Sequence, residues 1–241
     1  PYSFSKSSDA TNSIIKKARG ISPYTSAGEF LYMKGGAINY SNKYFELSSF
    51  YSIQDNDIWK PSENTFGFTT SIFPIKNIKV AALYFQRYEL SFWDEFENEN
   101  GNIQNHASLA YDLYIDNLLL TGEFAYYNKC VASINTLQLS LLEQFLIVAS
   151  IRNYPSAYNS YYAKGFGETN RTNNEFGIYL GFKWRTDIGI LNFYLDQYKF
   201  PNSTNSKTLP SGGNDFSFSY EISPYSSTYI YIRYFNESKE V

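Results

Sequence analysis

Polarity along this chain alternates with a period of two, and the alternation recurs about a dozen times between Glu29 and Phe235. An extended chain turns successive side chains to opposite faces, so each such segment has one oily side and one wet side. From Thr65 to Ile72, the residues Phe66, Phe68 and Ile72 share a face against Thr65, Gly67, Thr69 and Ser71. From Ala107 to Ile115, Leu109, Tyr111, Leu113 and Ile115 oppose Ser108, Ala110, Asp112 and Tyr114. A two-residue Asp116-Asn117 turn then returns the chain through Leu118, Leu120, Phe124 and Tyr126, backed by Thr121 and Glu123, which is a hairpin. The series Phe176, Ile178, Leu180, Phe182, Trp184 against Glu175, Gly177, Tyr179, Gly181, Lys183 repeats the pattern, as does Phe216, Phe218, Tyr220, Ile222 against Ser217, Ser219, Glu221. Weaker versions run over Glu29–Tyr40, Tyr44–Ile53, Ile78–Tyr88, Ser133–Leu141, Phe145–Tyr154, Ile190–Tyr198 and Thr228–Phe235.

The expected fold is therefore all-β, with about twelve antiparallel strands, many near the ~9–11 residues that cross a bilayer at a tilt. Short connections at 41–42, 74–77, 116–117, 142–144, 186–189 and 224–227 alternate with long polar ones at 54–64, 89–105, 153–173 and 199–214; only the link at 128–132 breaks the rule. Tight turns on one rim and long loops on the other is the layout of a transmembrane β-barrel. A secreted β-sandwich is the competing reading, since its inner faces are equally apolar. A sandwich covers its outer faces with Lys, Glu, Thr and Arg, whereas the polar faces here carry Gly, Ser, Thr, Ala and Tyr with an occasional charge. Aromatic residues also gather at expected strand ends, at Tyr40, Tyr44, Phe92, Trp93, Trp184 and Tyr198, as membrane-interface girdles do. Residues 1–27 are expected to form an N-terminal extension or loop and 28–241 the barrel.

Composition narrows the chemistry. Charged residues make up 18% and aromatic residues 20% of the 241, where an average globular chain has about 25% charged. Twenty Lys and Arg against twenty-three Asp and Glu leave a net charge of −3, with no basic excess to neutralise a phosphate backbone, so nucleic acid is not an expected partner. A single Cys130 and a single His106 leave no internal disulfide, no pair of histidine ligands and no recognisable catalytic constellation. No run approaches the ~18 apolar residues of a membrane helix; the greasiest, Leu139–Ala149, is broken by Glu143 and Gln144. The chain starts at Pro1 without a signal-peptide pattern and is read as a mature or excised piece.

The run from Asn153, Asn-Tyr-Pro-Ser-Ala-Tyr-Asn-Ser-Tyr-Tyr-Ala-Lys-Gly-Phe-Gly-Glu, followed by Asn-Asn-Glu-Phe-Gly-Ile-Tyr-Leu-Gly-Phe from Asn173 to Phe182, resembles the barrel region of Bacteroidota-type outer-membrane proteins that carry a helix-hairpin-helix domain ahead of the barrel. The matching positions are Arg152, Asn153, Tyr154, Pro155, Tyr158, Tyr161, Phe166, Glu168, Asn174, Glu175, Gly177, Tyr179, Leu180 and Gly181. Further similarity covers Arg19-Gly20-Ile21 with Tyr24-Thr25-Ser26, Phe45-Glu46-Leu47 leading to Phe50-Tyr51-Ser52, and Asp196 to Pro201 leading to Gly213 and Asp215. The resemblance implies a bacterial outer-membrane barrel with no catalytic or cofactor residues, and a covered segment incomplete at both ends relative to that family.

Arg87, Asp112, Glu123, Arg152, Glu175 and Lys183 are the polar residues expected to face the barrel lumen if the apolar faces meet lipid. Asp94, Glu95, Glu97 and Glu99 offer hard oxygens for calcium but lack the spacing of an EF-hand loop, and read more simply as a solvated loop tip. Lys16, Lys17 and Arg19 form a small basic cluster, and Asn170, Asn202 and Asn236 head Asn-x-Ser/Thr triplets that mark exposed segments. Gly177 and Gly181 are expected to leave room for a neighbouring aromatic ring. No cofactor is expected; outer-membrane lipid and other envelope proteins are the expected partners. The expected function is a non-enzymatic membrane anchor, scaffold or narrow passage. The alternatives are a soluble glycan-binding module and an outer-membrane hydrolase using His106.

Overall fold

A computed structural model describes residues 34–54, 62–90, 102–158, 165–169, 172–203, 210–225 and 228–239. The N-terminal extension, the Asp94–Glu99 acidic run, the Lys16–Arg19 cluster, Phe92, Trp93 and Asn170 lie outside the described residues. The twelve strands are β1 (Lys34–Ser41), β2 (Phe45–Gln54), β3 (Ser62–Ile75), β4 (Ile78–Leu90), β5 (Asn102–Ile115), β6 (Leu118–Tyr127), β7 (Cys130–Leu141), β8 (Phe145–Tyr154), β9 (Glu175–Thr186), β10 (Gly189–Phe200), β11 (Ser211–Tyr225) and β12 (Thr228–Lys239). They form one sheet in strict sequence order, every neighbouring pair antiparallel.

The turns explain this meander. Asn128 and Lys129 both take positive φ, 49° and 60°, which gives the two-residue β6–β7 connection the twist of the strands it joins. Leu142 and Glu143 take the same region at 52° and 55° in the β7–β8 turn, where Leu142 is also highly exposed. Each turn fixes the register of its hairpin, so a strand cannot slip by one residue and exchange its faces.

The faces are inverted relative to a water-soluble sheet. Phe66, Phe68 and Ile72 on β3, Leu109 on β5, Phe124 and Tyr126 on β6, Leu137 on β7, Ile151 on β8 and Ile178 and Leu180 on β9 are exposed. Their alternating neighbours Thr65, Ser71, Ser108, Asp112, Thr121, Glu123, Thr136, Ser150, Arg152 and Glu175 are buried. Among the described residues twenty-one polar or charged side chains are buried against fourteen hydrophobic ones, so the sheet curls around its polar side. That polar side is called the inner face below.

The outer face has its own order. Tyr40 lies tilted against Phe45 at 5.4 Å and Phe145 stacks on Trp184 at 5.4 Å, placing outward aromatics at the short-turn rim. Tyr198, expected in a girdle, instead points inward and is buried, because it shares the parity of Asn192, Tyr194 and Asp196 on β10. Asn135 is a polar residue on the outer face, and its Oδ1 accepts a 2.8 Å hydrogen bond from Tyr111 Oη. Gly122 lies between them: a Cβ there would come within 2.6 Å of the Tyr111 ring, so the glycine lets the tyrosine cross its strand.

Candidate functional site: the inner face

All six polar residues expected to face inward share the buried parity. Arg87, Asp112, Glu123, Arg152 and Glu175 are buried, and Lys183 near the short-turn rim is half-buried. Arg87, Arg152 and Glu175 find partners that alternation alone does not name.

Arg152 sits at the centre. Its Nε donates to Glu175 Oε1 at 2.6 Å, and its Nη1 and Nη2 donate to Asp196 Oδ1 and Oδ2 at 2.8 and 3.3 Å. The three residues come from β8, β9 and β10, and all are at most 1% exposed. Gly177, directly across from Arg152 in the β8–β9 ladder, makes the arrangement possible, because a Cβ there would overlap the guanidinium. The expectation of a ring over this glycine is thus corrected: a planar cation occupies the space. At Gly181 the residue opposite in the β9–β10 ladder is an aromatic one, Tyr194. A buried cation held by two carboxylates in fork geometry keeps its charge because each desolvated group has hydrogen-bond partners.

Residues 165–169 of the connection after β8 fold onto this knot. Phe166 is fully buried, with its ring 5.0 Å from the Arg152 guanidinium and edge-on to Tyr179 at 5.3 Å. Tyr154 Oη donates to Phe166 O at 2.9 Å, and the Gly165 amide donates to Thr172 Oγ1 at 2.6 Å. The Glu168 amide donates to both Glu175 oxygens, at 3.1 and 3.0 Å. Beneath this layer Ala125, Ala132, Ile134, Val148, Tyr179 and Tyr194 form one packed inner cluster across β6–β10.

A second ion pair, Arg87 Nη2 to Glu63 Oε2 at 2.8 Å, joins β4 to β3 and is also buried. His106 lies between two rings, Phe85 at 4.3 Å and Tyr127 at 4.2 Å, nearly parallel to both, and is 4% exposed. That is a packing role for an imidazole; a general base must reach a substrate proton. Glu123 is buried with one carboxylate oxygen lacking a protein partner among the described residues, as do Thr121 Oγ1 and Ser217 Oγ. Cys130 opens β7, half-buried and packed against the inner cluster. Among the described residues no group of three or more His, Cys, Asp and Glu side chains could hold a metal ion.

Sequence reasoning named Arg152 and Glu175 as inward charges and set Tyr179 on the face of Glu175, but gave no inward place to Asp196, Glu63, Tyr154 or Tyr194 and set Tyr198 in a girdle. The signal for Asp196 was present, since it is the one charged residue of the Ile190–Tyr198 segment. Comparison with family models, with curated proteins and with solved structures finds no match to this chain.

Proposed function

We propose that this chain is a β-barrel of a bacterial outer membrane, or the larger part of one, acting without catalysis as an anchor or scaffold for envelope partners. The observation that carries the reading is the inversion of polarity: Leu, Ile and Phe side chains stand exposed on the strands while Arg, Glu, Asp, Ser and Thr are buried. In water a broad exposed apolar belt is unfavourable and marks an interaction or membrane surface; against acyl chains it is the favourable side. A polar interior is what a membrane barrel tolerates and a sandwich core does not.

Strand number and side-chain size support closure. Twelve strands in an antiparallel meander leave β1 and β12 running in opposite directions, so their edges match in sense. The inner-face residues of β1, namely Gly35, Ala37 and Asn39, are small, while those of β12, Tyr231, Arg233 and Phe235, are bulky. Small beside large is how facing positions fill space, and pairing the two edges satisfies backbone groups that lipid cannot. The resemblance of the 153–182 segment to outer-membrane barrels of Bacteroidota supports the same assignment. The inner hydroxyls without protein partners favour a narrow passage as the second reading.

The test is extraction and gel mobility. The protein should stay in the membrane pellet after alkaline carbonate, need detergent to remain monodisperse, and migrate faster in unheated than in heated gel samples. A chain that is monodisperse in plain buffer and shows no heat-dependent shift overturns the membrane assignment.

A further inference from the structure

We propose that residues 165–169 form a plug that seals the interior at the long-loop rim, with the Arg152–Glu175–Asp196 knot as its latch. This rests on the barrel reading and decides between its two forms, a sealed anchor and an open passage.

Three observations place the segment inside the sheet. Phe166 has no exposed surface, and it inserts between the Arg152 guanidinium and the Tyr179 ring. The Glu168 amide is pinned to the Glu175 carboxylate that Arg152 also holds, so one side chain carries both the wall and the segment. The Glu168 side chain then reaches towards the far edge of the sheet, with Oε1 4.0 Å from Lys239 Nζ on β12. Residues 165–169 thus lie over β8 and β9 on the inner face, with the Glu168 side chain directed at β12.

The chemistry of the latch is electrostatic and geometric. Glu175 gathers the Arg152 Nε–H and the backbone N–H of Glu168, with the Thr169 amide at 3.5 Å, so its charge is met from both sides. Removing that charge leaves the segment Phe166 packing, the Tyr154 hydroxyl, the Gly165–Thr172 bond and the long, half-exposed Glu168–Lys239 contact. At Gly165 a Cβ would lie 2.6 Å from Tyr154 Oη, so the segment approaches β8 as closely as a backbone can.

The experiment is single-channel recording on the purified full chain in planar bilayers bathed in potassium chloride. The unaltered protein should show no discrete steps. Glu175→Gln combined with Phe166→Ala should give them, with heat-dependent gel mobility retained. Lys239→Ala alone should leave the recording silent, because its ammonium is half-exposed and 4.0 Å from Glu168. Steps in the unaltered protein equal to those of the double variant overturn the plug and keep the barrel. A silent double variant that retains its gel shift also overturns the plug. Should the double variant lose its gel shift, Glu175→Gln alone is recorded, and silence with the shift intact overturns it equally.

Discussion

The middle of the sheet and its two edges follow one alternating rule but differ in what covers them. On β8, β9 and β10 the inner side chains Arg152, Glu175, Tyr179, Asp196 and Tyr194 are almost completely buried. On β12 every described residue is exposed on both faces, and Gly35 to Ser41 of β1 are the same. The difference lies in the number of neighbours: a central strand has a hydrogen-bonded partner on each side, whereas β1 pairs only with β2 and β12 only with β11. Polarity alternation is a property of the strand, and burial is a property of the sheet that surrounds it.

The widest separation between centre and periphery should appear in the ion pairs. Arg152→Ala strips the cation from two buried carboxylates, and breaking a buried pair in this way costs about 3–5 kcal/mol. The Lys79–Glu46 contact between β4 and β2, at 3.9 Å, has side chains 34% and 48% exposed. Lys79→Ala should therefore cost about 0–1 kcal/mol. Urea unfolding in detergent, followed by tryptophan fluorescence, measures both. Equal losses would mean that the knot is no better shielded than the periphery.

The same rule explains what could be read before the structure. All twelve strands, the faces of β3, β5, β6, β9 and β11 and the alternation of short and long connections were legible, because each depends on residues at most a turn apart: Phe66 against Thr65, or Asp116-Asn117 between two runs. The six inward charges were legible for the same reason. Their partners were not. Arg152 meets Asp196 forty-four residues away only because β8, β9 and β10 hold one register through Gly177. Likewise the inward fold of Phe166 depends on a space that Tyr179 and Arg152 create together. Tyr198 was misplaced because aromatic content near a strand end marks an interface only when the parity points outward.

A charge on the outer face tests whether edge and centre meet the same medium. Leu180 on β9 is 44% and Ile232 on β12 is 55% exposed. Leu180→Arg should cost about 2–4 kcal/mol if β9 faces the bilayer midplane. Ile232→Arg should cost a similar amount if β12 is paired with β1 and presents the same side to lipid. Both are measured by refolding into vesicles against urea. A neutral Leu180→Arg contradicts the membrane reading, while a penalty at Leu180 without one at Ile232 leaves the belt in place and opens the sheet at its edge.

A smaller loss than that of the buried knot is expected at the polar intrusion on the outer face. Tyr111→Phe removes the hydroxyl that donates to Asn135 Oδ1 and leaves the ring across Gly122. A net hydrogen bond contributes about 0.5–1.5 kcal/mol, and an acceptor left without a donor carries a further desolvation cost of about 1–3 kcal/mol where water is absent. In water the Asn135 amide would recover a solvent partner and the loss would fall to the lower figure. Pairing Tyr111→Phe with Asn135→Leu separates the two cases, because the second change removes the stranded amide. Recovery of stability in the double variant, measured by the same urea titration, marks a dry outer face at mid-strand. An additive further loss marks a hydrated one and contradicts the lipid belt at the point where its sequence is most polar.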